Sequence, residues 1–156
     1  VTRNATLQST LIKLAFLNQA GAHPTEIVGL TECGDFLLAK QPQAKVIDQR
    51  QFERLREAAI NAMRGVEVRR VRLGRVVVAL WVDGTSFLMS DLHRGNIMLD
   101  HDENPTVIDA LVGSVSERHV RNLPLIQNAF DHAQALRFGR KYEDPSVLRL
   151  PPDEEL

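Results

Sequence analysis

The feature that most limits what this chain can fold into is one polar stretch, Ser90-Asp91-Leu92-His93-Arg94-Gly95-Asn96, set between apolar runs. Residues 86–90 read as a strand leading in, and residues 96–99 read as a strand leading out. Asp91 and Asn96 therefore stand at the two ends of one tight bend. Residues 100–105 are very polar and contain Asp, Asn and Pro, which predicts a hairpin that returns through residues 106–108. The far arm of that hairpin ends on Asp109. Three oxygen-bearing side chains, Asp91, Asn96 and Asp109, are expected to converge although they are spread along the sequence.

That set of groups suits phosphoryl transfer, in which the protein does little covalent work. It must orient a hydroxyl and hold magnesium against phosphate oxygens. A carboxylate can accept the hydroxyl proton, while a carboxylate and an amide oxygen are the hard ligands that magnesium prefers. The plain alternative is that Asp91 and Asn96 only cap turns between strands.

The run Asp91-Leu92-His93-Arg94-Gly95-Asn96 with Val107-Ile108-Asp109 resembles the catalytic loop and metal-binding aspartate of the protein-kinase-like superfamily, in the form seen in aminoglycoside and choline kinases. The resemblance implies ATP and magnesium as cofactors. It makes Asp91 the catalytic base, and Asn96 and Asp109 the magnesium ligands. Upstream, a helix, a hairpin and the Gln41-Pro42 break look like the end of a kinase small lobe and its hinge. Residues 37–43 would then face adenine, with Lys40 and Gln41 as nucleotide contacts. The layout is also similar to a kinase domain of large polyvalent proteins of phages and conjugative elements.

The chain departs from that pattern in several places. No glycine-rich phosphate loop and no strand lysine precede the first helix, Lys13 lies on the helix, and Glu26 lies past its end. Asp109 is followed by Ala110-Leu111-Val112-Gly113 rather than Phe-Gly, and no Ala-Pro-Glu motif comes after it. At 156 residues the chain has room for one domain with a core but is short for a two-lobed enzyme. The opening at Val1 rather than methionine reads as an excerpt of a longer polypeptide. Little turnover is expected from residues 1–156 alone.

The expected fold class is α+β, a partial kinase-like fold. Residues 1–47 would form a small-lobe remnant with the hinge, 48–150 a reduced large lobe, and 151–156 a loose acidic tail. One helix is predicted over residues 5–20, with Leu7, Leu11, Ile12, Leu14, Ala15 and Phe16 as its buried face and Gly21 as its stop. Residues 26–30 and 36–40 read as a hairpin around Glu32-Cys33-Gly34-Asp35. A second helix starts at Asp48 with Gln51 as a capping pair, buries Phe52, Leu55, Ala59 and Ala62, and ends at Gly65. Strands follow at 66–71 and 75–82, and a last helix at 124–138 carries the stripe Ile126, Ala129, Phe130 and Ala133.

Composition narrows the partners. With 44% apolar and 25% charged residues the chain is that of an ordinary globular protein, and 19 Lys+Arg against 20 Asp+Glu gives no general attraction to nucleic acid or anionic membrane. The basic cluster Arg64, Arg69, Arg70, Arg72 and Arg75 reads as a solvated hairpin edge. No apolar run reaches the ~20 residues of a membrane span. Cys33 alone forms no internal disulfide, which fits a reducing compartment, the cytoplasm by default. A zinc or iron site drawn from Asp91, His93, Asp100, His101 and Asp102 is the lesser reading, because residues 100–104 have the composition of a hairpin tip. Trp81 is expected in packing. Expected partners are a nucleotide, an unidentified phosphate acceptor, and upstream domains of the same polypeptide or a second copy. The alternative function is a catalytically inactive kinase-fold binding module of a multidomain protein.

Overall fold

Val78-Ala79-Leu80-Trp81-Val82 alternates its side chains between two faces, and the molecule is built outward from that alternation. The computed structural model describes residues 6–68, 76–116, 118, 120 and 122–145. In chain order these form α1 (Leu7–Ala20), β1 (Glu26–Leu30), β2 (Leu37–Lys40), β3 (Lys45–Val46), α2 (Phe52–Ala62), β4 (Val66–Glu67), β5 (Val78–Val82), β6 (Thr85–Ser90), β7 (Ile97–Leu99), β8 (Pro105–Val107), β9 (Leu111–Ser114) and α3 (Pro124–Arg137). Among the described residues the architecture is mixed α+β, with three small antiparallel sheets ordered β1-β2, β3-β7-β8 and β4-β5-β6-β9.

β5 is the centre of the four-stranded sheet. Val78, Leu80 and Val82 face a core shared with Phe16 and Leu17 of α1 and Leu55, Ala59 and Ile60 of α2. Ala79 faces the other way, onto Ala129 and Phe130 of α3. Successive strand residues point to opposite sides, so one strand seals both layers. Phe16 and Phe87 bring their ring centroids to 3.8 Å where α1 meets β6. α2 also packs on β7 and β8, which joins the second sheet to the same core.

The first helix starts with Thr6 and Ser9 in a reciprocal capping box and stops at Gly21, whose φ of 88° is one a glycine adopts without a Cβ penalty. Its expected face is corrected. Phe16, Leu17 and Ala20 are buried, whereas Leu7, Ile12 and Ala15 are exposed. The α1 side chains that enter the core are those of its C-terminal half, so the phase is set by Phe16 and not by the leucines before it.

The second helix is preceded by a 3-10 turn, Gln49–Gln51, capped by the Asp48 carboxylate, which accepts from Arg50 N at 2.7 Å. Its buried face is Leu55, Ala59 and Ile60 with Met63 beyond, and Ala62 is exposed, contrary to expectation. Gly65 does not supply the left-handed residue at the helix end, since Arg64 does, at φ 56°. Glycine at 65 is required by close approach: a Cβ there would lie 2.6 Å from Val78 Cγ1.

β3 and β9 were not expected from the sequence, being short and lacking clear alternation. Each is drafted by a partner, β3 by β7 and β9 by β6. The expected strands 66–71 and 75–82 are observed as Val66–Glu67 and Val78–Val82, with residues 69–75 outside the described residues. The tail 151–156 also lies outside them. Among the described residues no helix is long and apolar enough to cross a membrane.

Candidate functional site

The chain changes sheets twice, and the two crossings lie side by side. β6 ends at Ser90 in the four-stranded sheet, and after Asp91 the chain bends through a 3-10 turn, Arg94–Asn96, to enter β7 of the three-stranded sheet. β8 leaves that sheet at Val107, and after Asp109 the chain re-enters the first sheet as β9. Pairing of Ser90 with Leu111 and of Ile97 with Val107 places the crossings next to each other. Asp91 and Asp109 are the residues at the turning points, with φ of 65° and 43°. Asp83 and Glu103 also take positive φ, but in hairpin turns, and Arg64 takes it at a helix end. Asp91 and Asp109 have no such local excuse, and non-glycine residues held in that region concentrate at functional sites.

Asn96 ties the crossings together. Its side-chain Nδ2 donates to the Asp91 carbonyl oxygen at 2.8 Å and reaches the Asp109 carbonyl oxygen at 3.5 Å. Ile108 N donates to the Asn96 carbonyl oxygen at 2.9 Å, which extends the β7–β8 ladder by one bond. Asn96 is buried at 8% exposure, so its amide is a structural pin. With the nitrogen used in this way, Oδ1 makes no hydrogen bond among the described residues.

The bend is braced from within. Gly95 N donates to His93 Nδ1 at 3.0 Å, so a neutral imidazole carries its proton on Nε2, which lies 3.9 Å from Asp91 Oδ1. A Cβ at position 95 would come within 2.9 Å of His93 Cε1, so a larger residue there would push the ring off this brace. The Asp91 side chain is 40% exposed. The Asp109 carboxylate is 81% exposed and accepts from Lys13 Nζ of α1 at 2.8 Å, across 96 residues of chain.

Lys13 is the residue that sequence reasoning missed. Centring the α1 face on Leu7, Leu11 and Leu14 turns Lys13 aside, whereas the observed face through Phe16, Leu17 and Ala20 puts it on the buried stripe. The signal was the Lys13-Phe16-Leu17 spacing of three and four residues.

Lys40 and Gln41 close the β1–β2 hairpin. Lys40 pairs across the sheet with Glu26, and Gln41 Nε2 donates to Thr25 Oγ1 at 2.6 Å. Neither touches Asp91, Asn96 or Asp109 through a hydrogen bond or ion pair among the described residues. The link runs through the buried His23, whose backbone N donates to the Val107 carbonyl oxygen at 2.9 Å and whose Nε2 donates to the Pro42 carbonyl oxygen at 2.8 Å. One residue thus connects the segment after β2 to the strand that delivers Asp109.

Other candidates fall elsewhere. Asp100, His101 and Asp102 present ligand atoms within 4.8 Å of one another at the β7–β8 tip, without Asp91 or His93. Asp100 Oδ1 is spent on the turn, accepting from Asp102 N and Asn104 N, and the Asn104 bond first of all holds its carboxyl below the usual range. Arg64 donates to the Arg137 carbonyl oxygen, and Arg69, Arg70, Arg72 and Arg75 lie outside the described residues. Cys33 is exposed in its turn, and Trp81 packs on Phe138 at 5.1 Å between ring centroids. A cleft of about 1000 Å³ between α2 and α3, lined by Arg54, Glu57, His132 and Tyr142 among others, contains none of the three crossing residues.

No family model, curated protein or solved structure matches this chain.

Proposed function

We propose that the chain carries the catalytic-loop half of a protein-kinase-like phosphotransferase fold, which moves a phosphoryl group from ATP to an acceptor hydroxyl. The observation that supports this most is the Asn96 amide bridging the backbones of Asp91 and Asp109 at adjacent sheet crossings. In this reading Asp91 receives the hydroxyl proton, being half-exposed and, among the described residues, unpaired except for the distant His93 ring. His93 fixes the bend by accepting from Gly95 N. Asn96 Oδ1 and the Asp109 carboxylate are hard oxygen donors that fit magnesium, which when bound neutralises phosphate charge. Lys40, Gln41 and the backbone around Pro42 would hold the nucleoside end.

Changing Asp91→Asn in the full native polypeptide removes the base while keeping the shape of the side chain. Turnover of ATP, followed as phosphate transfer or release, is expected to fall by at least about 100-fold with an unchanged circular dichroism spectrum. Unaltered turnover would remove Asp91 from the role.

A second reading, an inactive kinase-fold binding module, draws on one observation: the Asp109 carboxylate is already engaged by Lys13. It predicts nucleotide binding without turnover in the full polypeptide.

A further inference from the structure

The Lys13–Asp109 pair is poorly explained as a stabilising contact. The carboxylate is 81% exposed, so water screens the attraction, and such pairs add little to stability. Yet the lysine is held with care. Its side chain is only 25% exposed, it lies on the α1 stripe that continues into Phe16 and Leu17, and its ammonium stands 2.8 Å from Asp109 Oδ1. Arg94, in the bend itself, is exposed and makes no ion pair among the described residues. The built cation of the site comes from the helix and not from the loop.

We infer that Lys13 is the phosphate-binding cation of this site, delivered from α1, and that Asp109 is the partner it keeps while no ligand is bound. This rests on the phosphotransferase reading above. With Asp91 and Asp109 ionised and Lys13 and Arg94 protonated, the charges at the crossing balance. A divalent cation taken up by Asp109 leaves the crossing net positive and repels the ammonium from its carboxylate. A polyphosphate is the ligand that satisfies both cations, and the Lys13 ammonium, with its three donors on a flexible stem, can turn from a carboxylate oxygen to a phosphate oxygen. The sequence has four lysines, and of these Lys40, Lys45 and Lys141 serve as the internal comparison. Lys45 pairs with Glu103 and Lys141 with Glu143, both away from the crossings.

The test uses an acyl phosphate of ATP, in which a carboxylic acid is joined as a mixed anhydride to the terminal phosphate. A lysine amine beside the phosphates attacks the acyl carbon. An amide forms on Nζ, the acyl–oxygen bond breaks, ATP leaves and the amine's proton passes to solvent. In the full native polypeptide with magnesium, peptide mass spectrometry is expected to find the acyl group on Lys13, suppressed by excess ATP. Lys13→Met is expected to weaken magnesium–ATP binding by at least about tenfold, measured by calorimetry, with Lys13→Arg recovering part of it. ATP-suppressed labelling confined to lysines other than Lys13, with Lys13→Met binding within about twofold of wild type, overturns the Lys13 assignment and leaves the phosphotransferase reading standing. Absence of both ATP-suppressed labelling and ATP binding overturns the two together.

Discussion

The β1–β2 hairpin and the β4-β5-β6-β9 sheet are built from similarly apolar residues and end in opposite environments. β5 has strands on both edges and helices on both faces, and Val78, Ala79 and Leu80 are fully buried. β1 and β2 have only each other, and Ile27, Val28, Leu30, Phe36 and Leu38 are exposed in and beside them, Phe36 at 67%. An isolated two-stranded hairpin is marginal in water. This one is held at its base by His23, which bonds to Val107 and Pro42, and by Gln41 to Thr25. Burial here follows from how many neighbours a strand recruits, and the candidate site lies at the rim of the well-packed part, where the chain crosses between two sheets.

Substitutions can break that contrast, beginning with the strongest. Leu80→Ala removes a fully buried side chain from the centre of β5 and should cost about 3 kcal/mol in urea unfolding, within the ordinary range for a buried leucine truncation. A cost below about 1 kcal/mol would show that β5 is not the central element. Asn96→Ala deletes a buried amide that joins both crossings, and about 1–3 kcal/mol is expected from the carbonyl groups it leaves without their donor. Val28→Ala on the hairpin should stay within about 0.5 kcal/mol. A loss as large as that of Leu80→Ala would mean that the hairpin face is covered in solution, sharpening the comparison into a statement about a missing neighbour.

Local chemistry made much of this legible. Gly21, Asp83-Gly84 and Gly139 mark turns or helix ends as their positive φ values require. Asp48 caps the 3-10 turn leading into α2 through Arg50 N, but the expected capping pair with Gln51 is not formed, and α2 itself has no side-chain cap. The bend from Asp91 to Asn96 and the hairpin to Asp109 were readable because Asp, Asn and Gly between apolar runs can do little else. Helix phase was not readable: a leucine-rich α1 offers several apolar faces, and only Phe16 meeting Phe87 selects one. The same ambiguity hid Lys13. β3 and β9 escaped because strands of two and four residues are stabilised by their partners rather than by their own pattern. The exposure of the β1–β2 hairpin was also hidden, since alternation predicts a strand without saying whether anything covers it.

The central claim is that the two sheet crossings form one cation–phosphate site. Paramagnetic broadening of backbone amide resonances by substoichiometric manganese in the presence of ATP tests it most directly. The Gly95, Asn96, Asp109 and Ala110 amides are expected to broaden first and together, and magnesium to restore them. Broadening that begins at His101 and Asp102 on the β7–β8 tip, with the crossing amides still sharp, would contradict it.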